Sequence, residues 1–195
     1  MVRPTGPKSR LSNGKTVTNL ASYNFYNFVA NEALKDKAIQ TLRTYGVGPC
    51  GPPGFYGTQD VHMKTEADIA THLGSAACIV YAQAFSTISS VIPAFSKRGD
   101  IIVADKAVGY AVRKGIQISR STVGWYEHND MEDLKRVLEK IIKEQANKPL
   151  TRRFIVTEGL FENTGDMADL PVLVSGTNTW KATRNSDFMP SIRQH

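Results

Sequence analysis

The sequence predicts an α/β protein with a mainly parallel sheet flanked by helices, and three observations carry that prediction. Short apolar segments recur along the second half of the chain: "AACIVYA", "DIIVAD", "STVGWYEH" and "RRFIVTEG". Amphipathic stretches of helical period separate them, too long to be hairpin turns. Most of the apolar segments are continuous rather than alternating, as strands covered on both faces are.

The elements follow in order. Residues 1–16 carry Pro4, Gly6, Pro7 and Gly14 with little to bury, and read as a disordered tail. "NEALKDKAIQTLRTYG" is a helix with Asn31 as N-cap, an apolar stripe of Leu34, Ala38 and Leu42, and Gly46 past its end. A Gly/Pro loop leads to a helix from about Thr58 to Leu73, closed by Gly74. "AACIVYA" is strand-like and holds Cys78 as a buried thiol, and "FSTISSVIPAFS" is helix-like although Pro93 weakens it. "DIIVAD" is a strand, "AVGYAVRKGIQISR" a helix and "STVGWYEH" a short strand. "MEDLKRVLEKIIKEQ" is an amphipathic helix capped by Asn129 or Asp130, with Leu134, Val137, Leu138, Ile141 and Ile142 facing the core. "RRFIVTEG" closes the series, and after Pro171 no period of either kind is expected. In such sheets ligands bind beyond the carboxyl ends of the strands, here Ala82–Ser86, Asp105–Gly109 and Glu158–Thr164.

Composition narrows the function classes. The chain of 195 residues carries a formal net charge of +6, but its basic residues sit in the N-terminal tail or alternate with acids along one helix. That distribution argues for a solvated surface and against a nucleic-acid partner. Two cysteines, Cys50 and Cys78, and four scattered histidines give no metal spacing, so no metal site is expected. Met1–Lys15 lacks the apolar core of a signal peptide, and no run approaches the roughly 20 apolar residues of a membrane span.

The loop "YGVGPCGPPGFYGTQDVH" holds five glycines and three prolines interleaved with Tyr45, Phe55 and Tyr56. Gly permits positive φ and close approach and Pro fixes φ, so the segment is neither helix nor central strand. A plain linker lacks such aromatics. The loop either packs as a tight multiple turn on its own domain or faces a subunit; aromatics beside permissive glycines favour the interface.

Five blocks in order, "YGVGPCGPPGFYGTQDVH", "IPAFSKRGDIIVADKAV", "KGIQISRS", "HNDMEDL" and "LTRRFIVTEGLFENTGD", resemble the pyridoxal-phosphate-dependent α-oxoamine synthases. They are most similar to the fungal-type long-chain-base subunits of serine palmitoyltransferase that lack the cofactor lysine. The match runs from Lys15 to Leu173, so the chain divides into a tail (1–16), a partial large domain of the fold type I transferases (17–173) and a tail outside the family pattern (174–195). The chain resembles a truncated form, and its end is expected to be a splicing or gene-model product. Isolated, it is expected to aggregate or be molten, because a sheet without its later strands exposes an edge.

The resemblance implies condensation of L-serine with palmitoyl-CoA to 3-ketodihydrosphingosine, with pyridoxal phosphate as electron sink. It implies a heterodimer with the catalytic long-chain-base subunit, which carries the cofactor and meets serine and palmitoyl-CoA. The resemblance also implies a site on the cytosolic face of the endoplasmic reticulum membrane, which this chain is expected to reach by association. Cofactor positions of the family fall on Ala84, Phe85 and Gly109. Ala84 stands where catalytic relatives have the phosphate-binding Gly, and Gly109 where they have a ring-stacking His, so neither is expected to function. No catalytic residue is expected on this chain, and Lys181 in "TWKAT" is a surface lysine. The loop residues Tyr45, Cys50, Gly51, Gly54, Phe55, Tyr56, Gly57 and His62 are implied to border the partner's active site. Glu158 either hydrogen-bonds near the cofactor region or caps a turn. The alternative function is a fragment of a catalytic α-oxoamine synthase with another acyl-CoA specificity.

Overall fold

The computed structural model describes residues 6–147, 149 and 151–181, with side chains as far as Ser175. The chain divides into two compact units, Met1–Cys78 and Ile79–His195.

The first unit begins with an antiparallel pair, β1 (Lys8–Arg10) and β2 (Thr16–Thr18), in which Lys8 faces Thr18 and Arg10 faces Thr16. This corrects the expectation of disorder up to residue 16. The reason is local: Gly14 takes φ 81°, the Leu11 N–H donates to the Lys15 carbonyl at 2.9 Å, and the Asn13 side chain accepts the Lys15 N–H. "SNGK" is thus a hairpin turn inside a polar segment. A single 3₁₀ turn (Phe28–Ala30) precedes α1 (Glu32–Tyr45). The Asn31 side chain caps α1 by accepting the Leu34 N–H at 3.2 Å. The apolar stripe of α1 has no cover among the described residues: no residue of this helix is buried, and Leu34 and Leu42 are about half exposed. Helix α2 (Asp60–Leu73) ends at Gly74 in the left-handed region, φ 62°.

The second unit is built on three parallel strands in the order β4-β3-β5: β3 (Ile101–Asp105), β4 (Thr122–Tyr126) and β5 (Arg153–Val156). The helices are α3 (Ala84–Phe95), α4 (Tyr110–Ser119), α5 (Met131–Glu144) and α6 (Leu170–Lys181). Strand periodicity sorts the core. Ile101 and Val103 pack with Tyr126, Leu134, Leu138, Ile141 and Leu173, on the face that α5 and α6 cover. Ile102 and Ala104 pack with Val108, Val112, Ile116 and Phe161, on the face of α4. All five residues of β3 are buried, as a continuous apolar strand with neighbours on both edges requires. Of the two candidate caps for α5, Asp130 serves, its side chain accepting the Asp133 N–H at 2.9 Å.

Two further expectations change here. "AACIVYA" forms no strand; Ile79 is 71% exposed and Cys78 only half-buried. The segment finds no ladder partner among the described residues, although β4 and β5 each pair on one side only, so its apolar character alone does not make it a strand. Helicity also continues past Pro171, through α6. Asp169 starts that helix by accepting the Leu173 N–H on its carbonyl and the Val172 N–H on its side chain, while Pro171 sits in the first turn, where no N–H is needed.

Helices α3 and α4 cross closely at Gly115. A Cβ there would lie 2.9 Å from Ile92 Cδ1 and 3.0 Å from the Ile88 carbonyl oxygen. Gly115→Val is expected to lower unfolding free energy by about 1–3 kcal/mol, read from the urea midpoint.

Candidate functional site at the carboxyl ends of the strands

Each strand of the second unit delivers polar residues at its carboxyl end, beyond the point where the ladder stops. β3 ends in Asp105, which is fully buried. Its Oδ1 accepts the Ala107 N–H at 2.7 Å and its Oδ2 the Asn129 N–H at 3.0 Å. Two residues past β4, His128 places Nδ1 3.0 Å from Asp105 Oδ1. Its Nε2 lies 2.8 Å from Oδ2 of Asp166, in the turn after β5. Asn129 reinforces the link, its amide donating to Asp166 Oδ2 at 3.2 Å and to the Met167 carbonyl at 3.3 Å. The buried Phe161 ring meets the imidazole edge-on, with centroids 4.4 Å apart. Loss of solvation draws the His128 pKa down, but the hydrogen bonds to Asp166 and Asp105 outweigh it and the net shift is upward. Asp166 is held below the usual carboxylate range by the Thr164 hydroxyl first and His128 second.

Beside this cluster lies Gly109, the residue before α4. Its N–H donates to Glu158 Oε1 at 2.7 Å, and the other Glu158 oxygen accepts the Glu162 N–H at 3.2 Å. Of the two roles open to Glu158, capping is the one its contacts fill: the carboxylate closes the N-terminus of α4 and the turn that follows β5. A Cβ at Gly109 would sit 2.8 Å from Glu162 Oε2 and 2.9 Å from Glu158 Oε1. Ala84 and Phe85 form the first turn of α3, and Phe85 stacks on Tyr110 with centroids 6.0 Å apart. The nearby amines are engaged: Lys106 pairs with Glu127, and Lys114 donates to Gln117 and lies 5.4 Å from the centre of the Tyr110 ring. As these side chains stand, a side chain on residue 109 would meet the Glu158 and Glu162 carboxylates, and both nearby amines are engaged. Lys181 ends α6, and its side chain lies outside those described.

The loop residues lie in the first unit and are treated by themselves. Tyr45 ends α1, its pKa raised chiefly by a hydrogen bond to Asp60. The chain then turns through Gly46, Gly48, Cys50 and Gly54, all at positive φ. Cys50 is exposed, its non-Gly backbone held at φ 50°. The loop folds onto itself: the Gly57 N–H donates to the Pro52 carbonyl at 3.1 Å and the Gly54 N–H to Thr58 Oγ1 at 2.8 Å. Gly51 lies under the Tyr56 ring, and a Cβ on Gly57 would stand 1.9 Å from the Gly51 carbonyl oxygen. Phe55 and Tyr56 remain 80% and 66% exposed. His62 is committed locally, its Nδ1 accepting the Gln59 N–H at 3.1 Å in a capping box.

Sequence reasoning located the strand ends but passed over His128 and Asp166, and weighed Asn129 only as a helix cap. The available signal was a buried-type strand ending on an acid, with "HND" just past the next strand. Gly57→Ala is expected to break the loop's self-contact and destabilise the first unit by about 1–3 kcal/mol, measured by thermal or urea unfolding. Glu158→Ala leaves the Gly109 N–H without its acceptor, and a loss of about 1–3 kcal/mol is expected in the same measurement on the second unit.

Residues 15–182 match the model of the family described as aminotransferase class I and II. Long chain base biosynthesis protein 1b of Oryza sativa subsp. japonica is 47% identical over 169 residues, which is 87% of this chain and 35% of that protein. Serine palmitoyltransferase 1 of Saccharomyces cerevisiae is 46% identical over 168 residues, 85% of this chain and 30% of that protein. The chain thus spans about a third of the length of these relatives. Among solved structures, Sphingomonas wittichii serine palmitoyltransferase superposes with a TM-score of 0.79 at 22% identity, over 92% of this chain and 43% of that one. A serine palmitoyltransferase structure with its pyridoxal phosphate internal aldimine gives 0.78 at 22% identity, over 92% and 44%. At that identity the likeness is one of fold, and it agrees with the α/β reading of the second unit. The family match covers most of the chain, including the Gly/Pro loop and all three strand ends, so this chain belongs to the aminotransferase class I and II family.

Proposed function

We propose that this chain is the portion of serine palmitoyltransferase that lacks the cofactor lysine. It pairs with a catalytic long-chain-base subunit and supports condensation of L-serine with palmitoyl-CoA to 3-ketodihydrosphingosine in sphingolipid synthesis. The partner holds pyridoxal phosphate, which supplies an electron sink for the serine-derived carbanion when bound. This chain's own residues move no proton in that chemistry. They bind the partner and form one wall beside its site, from Tyr45, Cys50, Gly51, Gly54, Phe55, Tyr56, Gly57 and His62.

The observation that carries the reading is the crowding at Gly109. The Gly109 N–H is taken by Glu158, and a side chain at this position would have to displace the carboxylate ends of Glu158 and Glu162, which supports a site that carries no stacking ring. The same observation weighs against the alternative, a fragment of a catalytic synthase. The names of the relatives point to the same enzyme. The loop supports the wall assignment because it closes on itself and leaves Phe55 and Tyr56 open for a subunit contact. The assembly works at the cytosolic face of the endoplasmic reticulum membrane, which this chain reaches by association. Among the described residues no helix is long and apolar enough to cross a membrane.

The test is co-elution of the 195-residue chain with a lysine-bearing serine palmitoyltransferase subunit. Co-elution is expected, with pyridoxal phosphate absorbance confined to the partner. Replacing Phe55 and Tyr56 together by Ala is expected to weaken association at least about tenfold, as truncation of aromatic hot spots does. Turnover of serine and palmitoyl-CoA by the lone chain overturns the proposal.

A further inference from the structure

Asp105, His128 and Asp166 come from three separate places in the second unit: the end of β3, the turn after β4 and the loop after β5. The imidazole bridges the two carboxylates, one through each nitrogen. Both acids already act as acceptors toward other groups. Asp105 takes backbone N–H groups on each oxygen, and Asp166 takes the Thr164 hydroxyl on one oxygen and the Asn129 amide on the other. An imidazole between two such acceptors satisfies both only when both its nitrogens carry protons. The bridge at full strength therefore requires an imidazolium ring.

We propose that His128 is a pH-sensitive latch that ties the loop following β5 to the ends of β3 and β4. The two attachments are unequal. Asp105 has no exposure, whereas Asp166 is 46% exposed and the imidazole 27%. When the ring loses a proton to solvent, it leaves from Nε2; Nδ1 keeps the proton that the buried carboxylate requires. The Nε2 lone pair then faces Asp166 Oδ2 across 2.8 Å, and attraction becomes repulsion. The Asn129 amide still holds Asp166 and Met167, so the loop loosens without being cast off. What it uncovers is specific. The loop includes Phe161, which packs on the His128 ring and lies in the core, and it begins with Glu158, which caps α4 through Gly109. The segment that loosens therefore adjoins the N-terminus of α4.

The other charged groups near the ring are matched with one another. Lys106 pairs with Glu127, and Arg136 pairs with Asp133, which also accepts the Glu127 N–H at 2.8 Å. Asp130 is occupied in capping α5. Asp105 and Asp166 are thus the two charges that decide the ring's state. The sign follows from the raised pKa of His128 in the closed form. The latch is at full strength below the ordinary histidine value of about 6.5 and is lost as pH rises through the higher closed-state value. At the acid end the lowered pKa of Asp166 sets the limit: its contribution is present above the ordinary carboxylate value and disappears as pH falls through the lowered one. The latch operates whether or not a partner holds the cofactor.

Hydrogen exchange of the full 195-residue chain, followed by mass spectrometry at pH 6 to 9 and divided by intrinsic rates, tests this. Protection of the peptide covering 158–167 is expected to fall with pH, by at most about tenfold per pH unit for one proton, while the β3 peptide stays unchanged. His128→Gln cannot donate to both carboxylates, so its loop is expected to be weakly protected and independent of pH. Asp166→Asn should likewise flatten the pH profile. Nitrogen chemical shifts of the His128 ring in the unmutated chain give an independent readout, with two protonated nitrogens expected at pH 6, below the ordinary histidine value. A neutral ring at pH 6, or a pH profile that survives in Asp166→Asn, overturns the latch.

Discussion

A carboxylate with no solvent exposure sits at the end of the central strand, and the second unit is arranged around satisfying it. An isolated buried charge is costly, and Asp105 avoids that cost by collecting four contacts on two oxygens, two from backbone N–H groups and two from one imidazole nitrogen. Each donor comes from a segment that must turn at a definite place. Ala107 turns into α4, and His128 and Asn129 turn into α5. The acid thus sets where β3 and β4 stop and how their helices begin. Through His128 it reaches Asp166 and so sets the path of the chain after β5 as well. A single side chain coordinates three βα turns.

The sheet faces themselves follow from simpler rules. β3 is apolar without interruption because helices lie on both sides, and its odd and even residues divide between two clusters. That much was legible in the sequence, as were α1, α2, α4 and α5, whose caps and periods are local. Asn31 and Asp130 cap the helices that their positions announced. The loop's need for glycine was also legible, although the reason at Gly51 and Gly57, contact with Tyr56 and with the Gly51 carbonyl, was not.

What escaped was long-range or partner-dependent. His128 meets an acid 23 residues before it and another 38 residues after it, separations that no motif spacing encodes. "AACIVYA" has strand composition, but a strand exists only against a neighbour, and this segment pairs with none among the described residues. The hairpin of β1 and β2 and the helix α6 were missed for the opposite reason. Their signals were local, an Asn-Gly turn and an Asp-Leu-Pro start, but they sat in segments whose composition reads as unstructured. Glu158 kept two readings until its geometry was known, and the 2.7 Å bond from Gly109 decides for the cap.

The self-contact of the Gly/Pro loop has a kinetic consequence. Because Gly57 rests directly on the Gly51 backbone and Gly54 is tied to Thr58, the two exposed rings stand on a scaffold that is rigid before any encounter. Docking onto such a preset ridge forfeits little conformational freedom. Recognition by this segment would then be paced by diffusion and orientation, with no slow ordering step to follow.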